Sequence, residues 1–187
     1  MANVKVEQDV VIDRLMSVFQ SVGYDGASLS ELATATGLQK ASLYHRFPGG
    51  KQAMANAVLD HVAGLIDNQL ANVLQSSAPA PVRLSSALTI IRQIYDGGRL
   101  ACVLRALSHG TAAGLFREPI AAIFRTWVAA FDHLARDFGF DTRTAQRLAE
   151  STLIRVQGSL ILAQTLQNPG IFDQVLLDIE TDFRSQQ

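Results

Sequence analysis

The run from Ser28 to Lys51, SLSELATATGLQKASLYHRFPGGK, narrows most what this chain can fold into. Ser28 and Glu31 have the S-x-x-E spacing of a capping box, so a helix is expected to begin at about Leu29. Leu32 and Ala33 give it an inward face, and Gly37 can take the left-handed conformation that ends a helix. Leu38 packs back, Gln39 opens a second short helix, and Pro48 makes its continuation unfavourable. This second helix has few apolar positions (Ala41, Leu43, then Phe47), while Gln39, Lys40, Ser42, Tyr44, His45 and Arg46 offer hydrogen-bonding groups outward. A short helix of that composition suits a nucleic-acid groove, and the whole run reads as a helix-turn-helix.

The flanking periodicity is helical throughout. Val11, Ile12, Leu15, Met16, Phe19 and Val22 form one stripe, ending at Gly23. From Lys51 a longer stripe (Met54, Val58, Val62, Leu65, Ile66, Leu70, Val73, Leu74) runs to the proline-rich break SSAPAP. Further helices are expected over 81–97 (Pro81 in the first turn), 100–109, 119–138, 142–167 and 169–183. No strand pattern, internal repeat or low-complexity segment interrupts them. The expected fold is all-α with about nine helices: a three-helix head over 1–50 on a larger helical body over 51–187.

Composition excludes several classes. Apolar runs are far shorter than the ~20 residues that cross a bilayer, and the N-terminus lacks a signal pattern, so no membrane association and a cytoplasmic location are expected. One cysteine, Cys102, makes no internal disulfide, and the four histidines lie too far apart for metal-ligand spacing, so no metal or other cofactor is implied. Walker and G-x-S-x-G motifs are absent and no carboxylate pair stands out, which argues against an enzyme. The net charge is −1, and residues 1–51 balance Lys5, Arg14, Lys40, Arg46 and Lys51 against five acids. Between Leu32 and Leu59, however, no acid occurs, and Lys40, Arg46 and Lys51 stand alone there. Lys51 opens a helix, where a cation is unfavourable, which points to a partner anion.

The helix over 142–167 is apolar around most of its circumference between Leu153 and Leu166, with Gly158 and Ser159 as small residues in the middle. Such a helix needs cover on more than one side, and a two-fold interface supplies it. The expected interface comprises Leu153, Gln157, Gly158, Leu160, Ile161, Phe172 and Val175.

At Gly23–Leu59 the sequence resembles the N-terminal domain of TetR-family transcriptional regulators: a serine opening the second helix, LATATGLQKASLYHRF for the turn and recognition helix, and a lysine opening the fourth. The FPGGK run and LIRVQGSLILAQTLQNPGIFDQV resemble the LmrA/YxaF-like branch, with departures from the family at Gln39, Ala41 and Arg46. The resemblance implies a homodimeric regulator, usually a repressor, whose body binds a small molecule that lowers affinity for operator DNA. By position, Ser28, Tyr44 and Lys51 match phosphate contacts, Gln39, Lys40, Ala41 and Ser42 match base-facing positions, and His45 is a further backbone contact. For the effector, the aromatics Phe124, Trp127, Phe131 and Phe138 suggest an apolar, aromatic molecule, oriented by Cys102, Arg105 and His109, which at i, i+3 and i+7 share one side of a helix; the alternative, and the better reading for any single one of these aromatics, is that they fill the core. The alternatives are a ligand-binding helical protein without DNA binding, and a redox or electrophile sensor using Cys102.

Overall fold

The structure, a computed structural model, describes residues 7–185; Lys5, counted above, lies outside them. Those residues are all-helical. The elements are α1 (Gln8–Gly26), α2 (Leu29–Thr36), α3 (Lys40–Arg46), α4 (Gly50–Leu65), a π-helical stretch Ile66–Ala71, α5 (Asn72–Leu74), α6 (Ala80–Ile94), a 3₁₀ turn Asp96–Gly98, α7 (Val103–Ala106), α8 (Ala112–Leu115), α9 (Arg117–Asp137), α10 (Thr142–Thr165) and α11 (Gly170–Arg184). The described residues form two compact units, one of residues 7–62 with 103–120, the other of 63–102 with 121–185.

In the first unit α1 runs past Gly23 to Gly26, bending where Gly23 takes φ 70°. Of the stripe read above, Val11, Ile12, Leu15 and Phe19 are buried, Met16 is half-buried and Val22, beside the bend, is exposed; α2 packs on this helix. Leu32, Leu43, Phe47, Met54 and Val58 complete the core of the three-helix head. The unit also takes in α7, which packs on α1, and the loop leading to α8. The helix expected over 100–109 is therefore corrected to Val103–Ala106. Ser108 turns its hydroxyl back to the Arg105 carbonyl (2.8 Å) and Gly110 adopts φ +61°, so the segment leaves helical geometry.

In the second unit α10 and α11 pack against each other, and α11 packs on α6. Asp141 caps α10 by accepting from the amides of Arg143 (2.9 Å) and Thr144 (3.1 Å), and the Thr144 hydroxyl (2.6 Å), with the Thr144 and Arg143 amides behind it, holds its carboxyl below the ordinary value. The buried Arg83 donates to the Leu74 carbonyl at the end of α5 (2.8 Å) and to Asp137 (2.7 Å). Gly98, at φ +91°, lies so close to Phe172 that an added Cβ would sit 2.6 Å from the phenylalanine Cβ, and only glycine fits there. Phe172 is consequently fully buried.

Candidate functional site

The turn between α2 and α3 forms as its residues dictate. Ser28 Oγ accepts from the Glu31 amide (3.2 Å) and Glu31 accepts from the Ser28 amide (2.8 Å), which lowers the Glu31 pKa. Gly37 ends α2 in the left-handed region (φ 70°, ψ 17°), and the Leu38 amide returns to Ala33 O (3.1 Å). Thr36 is buried with its hydroxyl on Leu32 O (2.7 Å), and Arg14 of α1 reaches the Thr36 carbonyl (3.0 Å), tying α1 to the turn. Leu43 and Phe47 anchor α3 from within.

What α3 leaves outside is polar. Gln39, Lys40, Ala41, Tyr44 and His45 are exposed and Ser42 is half-buried, so each of the base-facing and backbone-facing positions expected on α3 is at least partly accessible. Gln39 caps α3 without a side-chain hydrogen bond, which leaves first-turn amides open to a phosphate. Gly50 at φ +63° lets the chain turn beneath the Tyr44 ring, 3.5 Å from where a Cβ would stand.

Lys51 has partners that sequence spacing does not show. Its Nζ donates to the carbonyls of Tyr24 (2.8 Å) and Ala27 (3.1 Å) and stands 4.5 Å from the Tyr24 ring centroid. Instead of the anion expected, it caps the carbonyl end of α1, where a cation is favourable. A third N–H remains for a phosphate.

In the second unit the expected effector residues divide. Trp127 and Phe131 are buried and stacked (6.2 Å, 24°), with Phe131 edge-on to Phe183 (5.9 Å), so they form part of the aromatic core. Phe138, also buried, meets Phe183 (5.8 Å). Phe124, only half-buried, instead lines a groove of about 560 Å³ between α9 and α10. Cys102 is buried, with the Tyr95 hydroxyl 3.7 Å from its sulfur, an environment unlike the exposed electropositive one that activates a thiol. Burial, and secondarily Cys102, raise the Tyr95 pKa well above its ordinary value. Arg105 and His109 are exposed and belong to the first unit, and with α7 so short they do not share a helical side with Cys102.

The expected interface residues divide too. Gly158 and Ile161 are exposed, and Leu153 and Val175 are half-buried. Gln157 is half-buried and donates to Tyr95 Oη (3.2 Å). Leu160 (2% exposed) and Phe172 (0%) are corrected to core residues. Leu160 lies on the α10 face that also buries Val156 and Ala163, and Phe172 is held under Gly98. Sequence reasoning missed Ile154 (69% exposed), Leu162 (52%) and Leu166 (62%), which with Gly158 and Ile161 expose apolar side chains along α10; Leu177 (57%) of α11 is exposed beside α6 instead.

Comparison with known proteins agrees with this architecture. Residues 11–58 match the family described as bacterial regulatory proteins, tetR family, and residues 88–176 match the LmrA/YxaF-like transcriptional regulator C-terminal domain. The HTH-type transcriptional regulator LmrA of Bacillus subtilis is 21% identical over 86% of this chain and 88% of that protein. A TetR transcriptional regulator from Legionella pneumophila superposes with a TM-score of 0.82 at 19% identity, covering 97% of this chain and 99% of its own. The regulator CifR, as a cysteine mutant complexed with 26-bp double-strand operator DNA, superposes with a TM-score of 0.76 at 22% identity, covering 99% of both chains.

Proposed function

The chain belongs to the TetR family of bacterial regulatory proteins and carries a C-terminal domain of the LmrA/YxaF-like type, and on that premise we propose that this DNA-binding regulator acts in the cytoplasm as a homodimeric repressor, released from an inverted-repeat operator by a small, mostly apolar effector. It is a transcriptional regulator, not an enzyme.

The observation that carries the operator reading is the outer face of α3: exposed Gln39, Lys40, Tyr44 and His45, with no acidic residue from 32 to 59. CifR, whose fold this chain shares, is described as bound to double-strand operator DNA, which supports the same use here. Two such heads read half-sites about 34 Å apart, one turn of duplex. The exposed apolar residues along α10, Ile154, Ile161, Leu162 and Leu166, support the two-fold contact.

An effector that binds the operator-free state better by about 1–3 kcal/mol weakens operator binding roughly 5- to 150-fold. Helices α4 and α9 each contribute residues to both compact units, so covalent links for such coupling exist. The test is selection from a random duplex pool with and without candidate apolar compounds, followed by footprinting. Enrichment of an inverted repeat bound by two chains, and its release by a compound, is the expected result. Enrichment of no sequence, or of an unrepeated half-site bound by one chain, would overturn the proposal.

A further inference from the structure

Building on the reading that an effector occupies the helical body, we propose that its site is the groove between α9 and α10, and that it takes an uncharged, mostly apolar ring compound. Helix α9 carries two stripes. The inner one, Ile123, Trp127, Phe131 and Leu134, is buried. The second, Ala121, Phe124, Val128 and Ala129, floors the groove and is half-buried or exposed within the protomer. The groove volume, about 560 Å³, falls in the range of small-molecule sites.

The rim decides the chemistry. Arg125 and Arg136 face Asp132 and Glu150 around the opening, a formal balance of zero. Arg136 is engaged with Asp132 through Nε (2.8 Å) and Nη2 (3.3 Å), and Gln146 donates to Glu150 (3.0 Å). A charged ligand meets like charge as well as opposite charge at this rim, whereas an uncharged one covers the apolar floor and leaves these bonds intact. The apolar surface suited to a second copy lies further along α10, from Ile154 to Leu166.

The test uses the full chain and N-phenyl-1-naphthylamine, an uncharged dye whose emission rises in apolar surroundings. A saturable rise is expected, weakened about tenfold or more by Ala129→Trp, which fills the groove from an exposed position, and by Phe124→Ser, which removes its floor. The anionic relative 8-anilinonaphthalene-1-sulfonate should bind about tenfold or more weakly than the uncharged dye. Thermal melts and light scattering on the same variants check that fold and oligomer are kept. Four results each overturn the inference: no saturable binding, equal affinity in both groove variants, loss of binding in Trp127→Phe but not in Ala129→Trp, or dissociation of the oligomer by Ala129→Trp. Operator affinity in the same samples separates the two proposals. A chain that binds its operator but fails these dye tests loses only the groove assignment, and a chain that binds no duplex loses the regulator reading while the dye still reports on the groove.

Discussion

Asp25, near the end of α1, is held to Thr111, in the loop before α8, by two hydrogen bonds: its carboxylate accepts from the Thr111 amide (2.9 Å) and from the Thr111 hydroxyl. The neighbouring Gly110 makes this approach possible, since it adopts φ +61° and a Cβ there would overlap the Asp25 carboxylate. The loop over 108–111 is thereby fastened to the connection that leads into the helix-turn-helix. Gly110→Ala should destabilise the protein by about 1–2 kcal/mol through the left-handed conformation alone, and more if Asp25 is displaced. Denaturant unfolding of the variant measures it, and an unchanged midpoint would show that the loop adapts freely.

The Thr111 bonds, hydroxyl first, lower the Asp25 pKa, with a smaller contribution from Lys51. A carboxyl whose pKa is lower folded than unfolded adds stability above its unfolded value and loses it as pH falls through the folded one. The wild type should therefore lose more stability than Asp25→Asn between neutral pH and pH about 3. Parallel melts across that range, staying parallel instead of converging, would count against the contact.

Lys51→Met removes two charge-assisted hydrogen bonds from the carbonyl end of α1, and a loss of about 1–3 kcal/mol is expected. If Lys51 only contacted phosphate, stability would be unaffected and only the salt dependence of operator binding would fall. Thermal unfolding without DNA distinguishes the two roles.

Lys40 is exposed at the start of α3, where it can meet a phosphate or a base. If it neutralises one phosphate per subunit, Lys40→Ala should reduce the slope of log K against log salt by about 2 for a dimer. Affinity should then fall evenly across operator variants. A loss concentrated at one base position, with the slope unchanged, would instead identify Lys40 as a base reader.

Position along α10 separates exposed apolar residues from the core. Ile154→Arg and Leu166→Arg place charge on exposed positions and should give folded monomers by light scattering and circular dichroism. Leu160→Arg puts an unpaired charge into the protomer core, where the cost is about 3 kcal/mol or more, and should unfold the chain. A stable dimer in Ile154→Arg and Leu166→Arg would place the contact elsewhere.

Features set by neighbours a few residues apart were legible in the sequence. The Ser28–Glu31 box, the Gly37 turn and Pro81 in the first turn of α6 each follow from what local backbone groups require. The stripe of α1 and the polar outer side of α3 follow from the helical period.

Long-range contacts were not legible. Nothing local says that Lys51 spends its donors on Tyr24 and Ala27, or that Asp25 meets Thr111. Periodicity also fails where a helix is apolar on every side. Between Leu153 and Leu166 it could not distinguish buried Leu160 from its exposed neighbours Ile161 and Leu162, because hydrophobicity is a property of the residue while burial depends on which helices pack against it. The aromatics of α9 divided for the same reason: Trp127 and Phe131 turn into the core, and Phe124 turns to the groove beside α10. The sequence alone determined the helix boundaries made by caps and the polar outer side of α3, since those depend on spacings of a few residues. Which apolar residues became core, groove floor or exposed surface was decided only when distant helices came together.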